Sequence, residues 1–119
     1  MENKLDYYSD YFEALIWADV EESEDIKGSY TIYDIEQASL VKHLNELDAF
    51  FDQAQDILDN SDYTHEQACH DFYLTRQRHG VGFWENDHCN EEQGEKLTAL
   101  AKAFSIVYIS EHNGKLILD

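Results

Sequence analysis

Proline is absent from this 119-residue chain, glycine occurs only five times, and Cys69 and Cys89 are its two cysteines. No internal repeat or low-complexity stretch interrupts it, so nothing marks a linker and the expected organisation is one domain, residues 1–119. Two cysteines do not make a disulfide framework, and a cytoplasmic chain keeps them reduced. No apolar run reaches 18 residues, and Met1-Glu2-Asn3-Lys4 leads into Asp6 and Tyr7 without an apolar stretch. Neither a transmembrane helix nor a signal peptide is therefore expected. The sharpest shortage is of positive charge: eight Lys+Arg stand against 26 Asp+Glu, a formal net charge of −18. A surface this anionic disfavours direct contact with DNA, RNA or an anionic membrane, and points to a basic partner.

What is present argues for a folded molecule. Apolar residues make up 43% of the chain, and the 6 Phe, 8 Tyr and 2 Trp supply material for a core that a disordered acidic segment would lack. The charge is uneven. Residues 1–62 carry 17 acids and 3 bases, whereas residues 63–119 carry 9 and 5. Like charges oppose the compact state and raise solubility. They also raise one another's folded-state pKa values, so stability is expected to grow as pH falls from about 7 toward about 5.

The periodicity predicts an α+β fold, a helix-rich domain with a small antiparallel sheet that includes a C-terminal β-hairpin. Leu5, Tyr8, Phe12, Leu15 and Ile16 share one helical face over 5–18. Residues 19–29 read as a charged surface loop, and Tyr30 to Tyr33 as a short strand or an extended lead-in. A long helix follows, ending near Asn60, with Asp34 and Gln37 resembling a capping box and Ser39 a rival N-cap. Its apolar stripe is Leu40, Leu44, Leu47, Phe51, Ala54 and Leu58, widened by Val41, Phe50 and Ile57. Thr64 to Gln67 is a second capping box, although Phe72 to Thr75 is also compatible with strand. Gly94 to Phe104 predicts another helix. Asn113-Gly114 between two aliphatic runs predicts a hairpin of 105–110 with 115–118.

Three constellations invite a functional reading. Asp48, Asp52, Asp56 and Asp59 recur along the long helix, while residues 43–75 contain neither Lys nor Arg. An ordinary soluble helix intersperses both signs, since opposite charges four apart stabilise it. Residues four apart rise about 6 Å along a helix, so a carboxylate row can imitate a row of phosphates. Asp19, Glu21, Glu22, Glu24 and Asp25 form a candidate second cluster nearby. The competing reading is a plain solvated face. His65, Cys69, His88 and Cys89 contain zinc-ligand types, but their spacing matches no established finger; buried and exposed cysteines among ordinary histidines are the preferred account. Cys69-His70-Asp71 holds nucleophile, base and orienter types, yet consecutive side chains do not face each other. No catalytic residue and no cofactor is assigned.

The densest signal is His70-Asp71-Phe72-Tyr73-Leu74-Thr75-Arg76-Gln77-Arg78-His79-Gly80-Val81-Gly82-Phe83-Trp84-Glu85. It resembles a segment, roughly His-Asp-Phe-Trp-Leu-Thr-Arg-Asn-Gly-His-Gly-Ala-Gly-Phe-Trp-Asp-Arg, that recurs in small phage and prophage proteins without assigned activity. This chain departs at Tyr73, Gln77-Arg78, Val81 and Glu85, and at Cys69, where glycine is usual. The expected roles are structural: Phe72, Phe83 and Trp84 as core anchors, Gly80 and Gly82 for close backbone approach, and Asp71 or Thr75 pairing with Arg76 or His79. The resemblance implies a phage or prophage origin. Small phage proteins this acidic resemble DNA mimics that block restriction complexes or CRISPR effectors. The expected function is accordingly an acidic inhibitor of a basic nucleic-acid-binding host protein, in the cytoplasm of an infected or lysogenic bacterium. The alternatives are an accessory phage protein with no inhibitory activity and, further off, a small zinc enzyme. The oligomeric state is open, a homodimer included.

Overall fold

A computed structural model describes residues 4–119. The fold is helix-rich, with a two-stranded antiparallel sheet at its C-terminal end. The first helical face divides into α1 (Lys4–Tyr7) and α2 (Ser9–Leu15), and α2 runs on into a π-helical turn, Ile16–Val20. The wider turn is closed by the Glu21 N–H donating to the Ile16 carbonyl at 2.8 Å, five residues back. Leu5, Tyr8, Phe12, Leu15 and Ile16 are all buried, as the spacing requires.

α3 (Gln37–Asp59) is the longest element, and α4 (His65–Arg76) and α5 (Glu91–Lys102) follow it. Contacts fix their directions. Tyr7 lies 3.9 Å from His65 and Tyr11 5.2 Å from Tyr73 (ring centroids), so α2 runs alongside α4 in the same sense. α3 runs the other way, with Phe51 5.1 Å from His65 and Glu46 2.8 Å from Arg76. The core forms where they meet: Phe50 stacks on Phe72 with centroids 4.0 Å apart and planes 6° apart, and Leu47, Ala54, Phe83, Leu97 and Ala101 close around them. Thr64 and Asn90 cap α4 and α5 through full capping boxes with Gln67 and Gln93. The Asn90 cap starts α5 three residues before Gly94. That glycine is needed inside the helix, because a Cβ there would lie 2.1 Å from Asn86 Oδ1 and 2.8 Å from the Phe83 carbonyl.

Several expectations need correction. Asp34 caps the short 3-10 turn Ile32–Asp34, where its Oδ2 accepts from the Thr31 N–H at 2.8 Å, and so it does not cap α3. α3 begins on Glu36, whose N–H donates to the Leu116 carbonyl at 2.8 Å. Ser39 is inside the helix; its Oγ accepts from the Leu118 N–H at 2.9 Å. Val41 is exposed rather than part of the apolar stripe, and His43, on the face it was expected to widen, is fully buried. Of the stretch Tyr30 to Tyr33, no residue is strand and Ile32 and Tyr33 belong to the 3-10 turn, so the extended lead-in stops at Thr31; Ile35 then makes a single parallel bridge to Leu116.

The hairpin is β1 (Ile109–His112) with β2 (Lys115–Leu118), in register Ile109 with Leu118 and His112 with Lys115. Asn113 and Gly114 both take positive φ, 52° and 81°, the signature of a type I′ turn. Residues 105–108 are irregular instead of strand. There the Gln77 side chain donates to the Val107 carbonyl at 3.0 Å and accepts its N–H at 2.7 Å. Among the described residues no helix is long and apolar enough to cross a membrane.

Candidate functional site

The expected acidic row is only partly open. Asp48 is held by Lys4 Nζ at 2.5 Å and by the Tyr8 hydroxyl at 2.6 Å, and the Lys4 hydrogen bond keeps its carboxyl below the usual range. It is therefore a packing contact between the first helical stretch and α3. Asp52, Asp56 and Asp59 remain exposed, with Asp59 Oδ1 accepting from Gln55 Nε2 at 2.8 Å. In the loop, Glu21, Glu22, Glu24 and Asp25 are exposed, but Asp19 is not part of that cluster. Asp19 accepts a short hydrogen bond from the Tyr73 hydroxyl and lies 2.9 Å from His79 Nε2. Nor are the two clusters neighbours. Asp25 flanks the same cleft as Ser110 and Glu111 of the hairpin, and the hairpin docks at Ser39. Asp52 lies 13 residues further along α3, about 20 Å at 1.5 Å per residue.

The signature segment folds as the end of α4, a turn, and a 3-10 turn, Phe83–Glu85. Phe72 and Phe83 are buried anchors, whereas Trp84 is 53% exposed, so the expectation that it anchors the core is wrong. Gly82 is required on two counts: its φ is +131°, and a Cβ would fall 2.1 Å from Thr75 Oγ1. Gly80 is exposed and serves its own φ of +81°, not a close approach. Arg78 adopts φ +58°, the left-handed conformation a glycine takes readily. The expected pairings within the segment do not form. Asp71 accepts from the Tyr63 hydroxyl at 2.6 Å, Thr75 Oγ1 accepts from the Phe83 N–H at 3.1 Å, and Arg76 and His79 turn to other elements.

Arg76 is buried at 1% exposure, in a polar cluster that no local sequence pattern encodes. Its Nη1 lies 2.8 Å from Glu46 Oε1, an electrostatic contact without hydrogen-bond alignment, and donates to the Tyr11 hydroxyl at 3.2 Å. Its Nε donates to the Ser105 carbonyl at 2.7 Å, and the guanidinium lies 5.5 Å from the centre of the Phe104 ring. Tyr11, accepting from Arg76, passes its own proton toward His43 Nδ1 at 2.9 Å. Burial and the Arg76 charge push the His43 imidazole down to about 4, so it is neutral near pH 7. Its Nε2 is buried with no hydrogen-bond partner among the described residues.

The zinc candidates do not converge. His65 Nε2 donates to the Tyr7 carbonyl at 2.7 Å and lies 3.5 Å from Cys69 Sγ, while His88 packs its ring on Tyr63 and Cys89 Sγ approaches the Phe83 carbonyl. Among the described residues no group of three or more His, Cys, Asp or Glu is placed to hold a metal. Burial pushes the Cys69 thiol up, which keeps it protonated and a poor nucleophile. His70 turns to Asp71, 3.3 Å away, and toward Trp17, so Cys69-His70-Asp71 is not assembled for attack.

A cavity of about 530 Å³ opens between α2 with its π-helical turn, α4 and the 81–88 loop. Trp17, Leu74 and Val81 give it apolar walls, and Asp10, Glu66 and Asp87 are among the acids around it. Trp17, Leu74 and Val81 also line a second cavity of about 270 Å³ with Glu22 and His79. Sequence periodicity missed this cleft because α2, α4 and the loop contribute one or two residues each. Trp17, an exposed aromatic beside acids, was the available signal.

Family models, curated proteins and solved structures give no match to this chain.

Proposed function

We propose that this chain is an acidic, non-catalytic interaction protein that occupies the nucleic-acid groove of a basic host protein. In its specific form the reading is a DNA-mimic-type inhibitor of a host defence system, a CRISPR effector or restriction complex, acting in the bacterial cytoplasm. The observation that carries it is the exposed row Asp52, Asp56 and Asp59 on α3, within a 43–75 stretch that has neither Lys nor Arg. Steps of three and four residues rise about 4.5–6 Å, a scale on which carboxylates can stand in for strand phosphates. Without Asp48 the row is shorter than the sequence implied, so the loop acids Glu21, Glu22, Glu24 and Asp25 would meet a different part of the partner.

Capture from host lysate at low and at high salt identifies the partner, and competition with a duplex oligonucleotide tests the mechanism. The chain is expected to displace the duplex from the captured protein, and the triple variant Asp52→Asn/Asp56→Asn/Asp59→Asn is expected to lose that ability. A partner that binds DNA and this chain simultaneously overturns the mimic reading. A second reading, an accessory phage protein that makes its contact through the signature segment, is favoured by the exposure of Trp84 and Val81. Such an apolar contact would survive high salt, and a phosphate-like one would not.

A further inference from the structure

We infer that the cleft between α2, α4 and the 81–88 loop is a receptor for an arginine side chain presented by a basic protein partner. The argument starts from Trp17. Trp17 is 57% exposed although Leu74 beside it is buried and the His70 ring lies 6.2 Å away, so much of a large aromatic surface stays in water at the mouth of a 530 Å³ cavity. Around it the charge has one sign. Asp10, Glu66 and Asp87 line the cavity, neither lysine nor arginine does so among the described residues, and Glu22 continues the acidic rim past Trp17. Two further carboxylates there are already committed, Asp71 to the Tyr63 hydroxyl and Glu85 to the Gly82 N–H. Asp10, Glu66 and Asp87 have no ion-pair partner among the described residues.

An exposed indole bordered by carboxylates fits one side-chain chemistry better than others. A guanidinium is flat enough to stack on the ring, is weakly hydrated, and offers a planar fork of donors to the carboxylates at its edge. A lysine ammonium gains the charge but not the stacking or the fork. A bare divalent cation lacks the convergent ligand set, since no group of three acids or histidines among the described residues is spaced for one. The π-helical turn is what presents Trp17, because the widened turn carries the chain from α2 directly into the cleft wall. This inference is independent of the α3 row: it rests on a different face and either can fail alone.

The test uses the full chain carrying Trp84→Phe, which leaves Trp17 as its indole reporter, titrated with an acetylated, amidated tetra-arginine peptide. Saturable change in Trp17 emission is expected, with tetra-lysine weaker and magnesium at matched ionic strength silent. Asp10→Asn/Glu66→Gln/Asp87→Asn should weaken tetra-arginine binding about tenfold or more. Asp52→Asn/Asp56→Asn/Asp59→Asn removes the same charge outside the cleft and should leave affinity within about threefold. Trp17→Leu, followed by calorimetry, should lose as much as the cleft variant. Equal losses in the two charge-matched variants, a silent Trp17, or an equal response to magnesium overturns the inference. Loss of DNA competition by the α3 variant, with tetra-arginine binding intact, bears on the proposed function alone.

Discussion

His43 shows how one residue's surroundings can reverse a whole-chain expectation. Crowded carboxylates favour the folded state as pH falls, but His43 works the other way. Its imidazole is fully buried and its folded pKa is held at about 4, below the unfolded value of about 6.5. The native state therefore binds fewer protons, and the contribution of His43 is complete above about pH 6.5 and lost as pH falls toward about 4. The full span corresponds to about 3 kcal/mol at 1.36 kcal/mol for each pKa unit. His43→Gln keeps an amide able to meet the Tyr11 hydroxyl and removes the titration. Urea titrations at about pH 7.5 and about pH 4.5 should show the variant gaining on the natural chain in acid by up to about 3 kcal/mol. Parallel pH dependences would mean that His43 titrates normally. The buried Arg76 beside it, with Glu46 at 2.8 Å, also explains why the expected pairing with Asp71 fails: the guanidinium points into the core, and Asp71 faces Tyr63.

Elements were legible where burial is one-sided. α3 packs one face on the core, so its stripe of Leu47, Phe51, Ala54 and Leu58 could be read directly from the periodicity. α4 is different. Its last turns bury Phe72, Tyr73, Leu74, Thr75 and Arg76 in succession, because α2 and α5 pack against it and Phe50 and Glu46 of α3 reach across to Phe72 and Arg76. A helix enclosed on several sides loses its period, which is why strand remained an option for 72–75. The acidic row failed at Asp48 for another reason: its partner Lys4 is 44 residues away, and no local pattern encodes a distant contact. At the 83–84 step, sequence alone could not say which aromatic of a consecutive pair faces inward. Phe83 is buried, 5.3 Å from Tyr63 and 5.8 Å from Phe50, while Trp84 faces out. Phe83→Ala should cost about 3–5 kcal/mol and Trp84→Ala less than about 1 kcal/mol in denaturant titrations. The reverse order would place the indole in the core after all.

Across the whole molecule, 26 carboxylates meet few cations. Among the described residues the lysine and arginine ion pairs are Lys4–Asp48, Arg76–Glu46 and Lys96–Glu92, and Arg78 instead donates to the Arg76 and Lys102 carbonyls. The shape, with principal extents of 43 × 35 × 20 Å, spreads the remaining negative charge over a flattened surface. Net repulsion should then outweigh local pairing. Raising sodium chloride from about 0.1 M to about 1 M shortens the Debye length from about 10 Å to about 3 Å and should raise the melting temperature at pH 7. A melting temperature that falls with salt would show that local pairs dominate, and would remove the open negative surface on which the mimic reading depends.

The seal between β2 and the start of α3 has a consequence for how the molecule is made. Leu118 bonds Ser39 across 79 residues of sequence, and Leu116 completes the bridge to Ile35. At about 5–20 residues per second, a ribosome delivers Leu118 roughly 4–16 s after Ser39. The hairpin itself needs only about 1–10 μs once both strands exist. For those seconds the nascent chain carries the head of its longest helix uncovered, so the tempo of translation, not of local folding, decides when the domain can close.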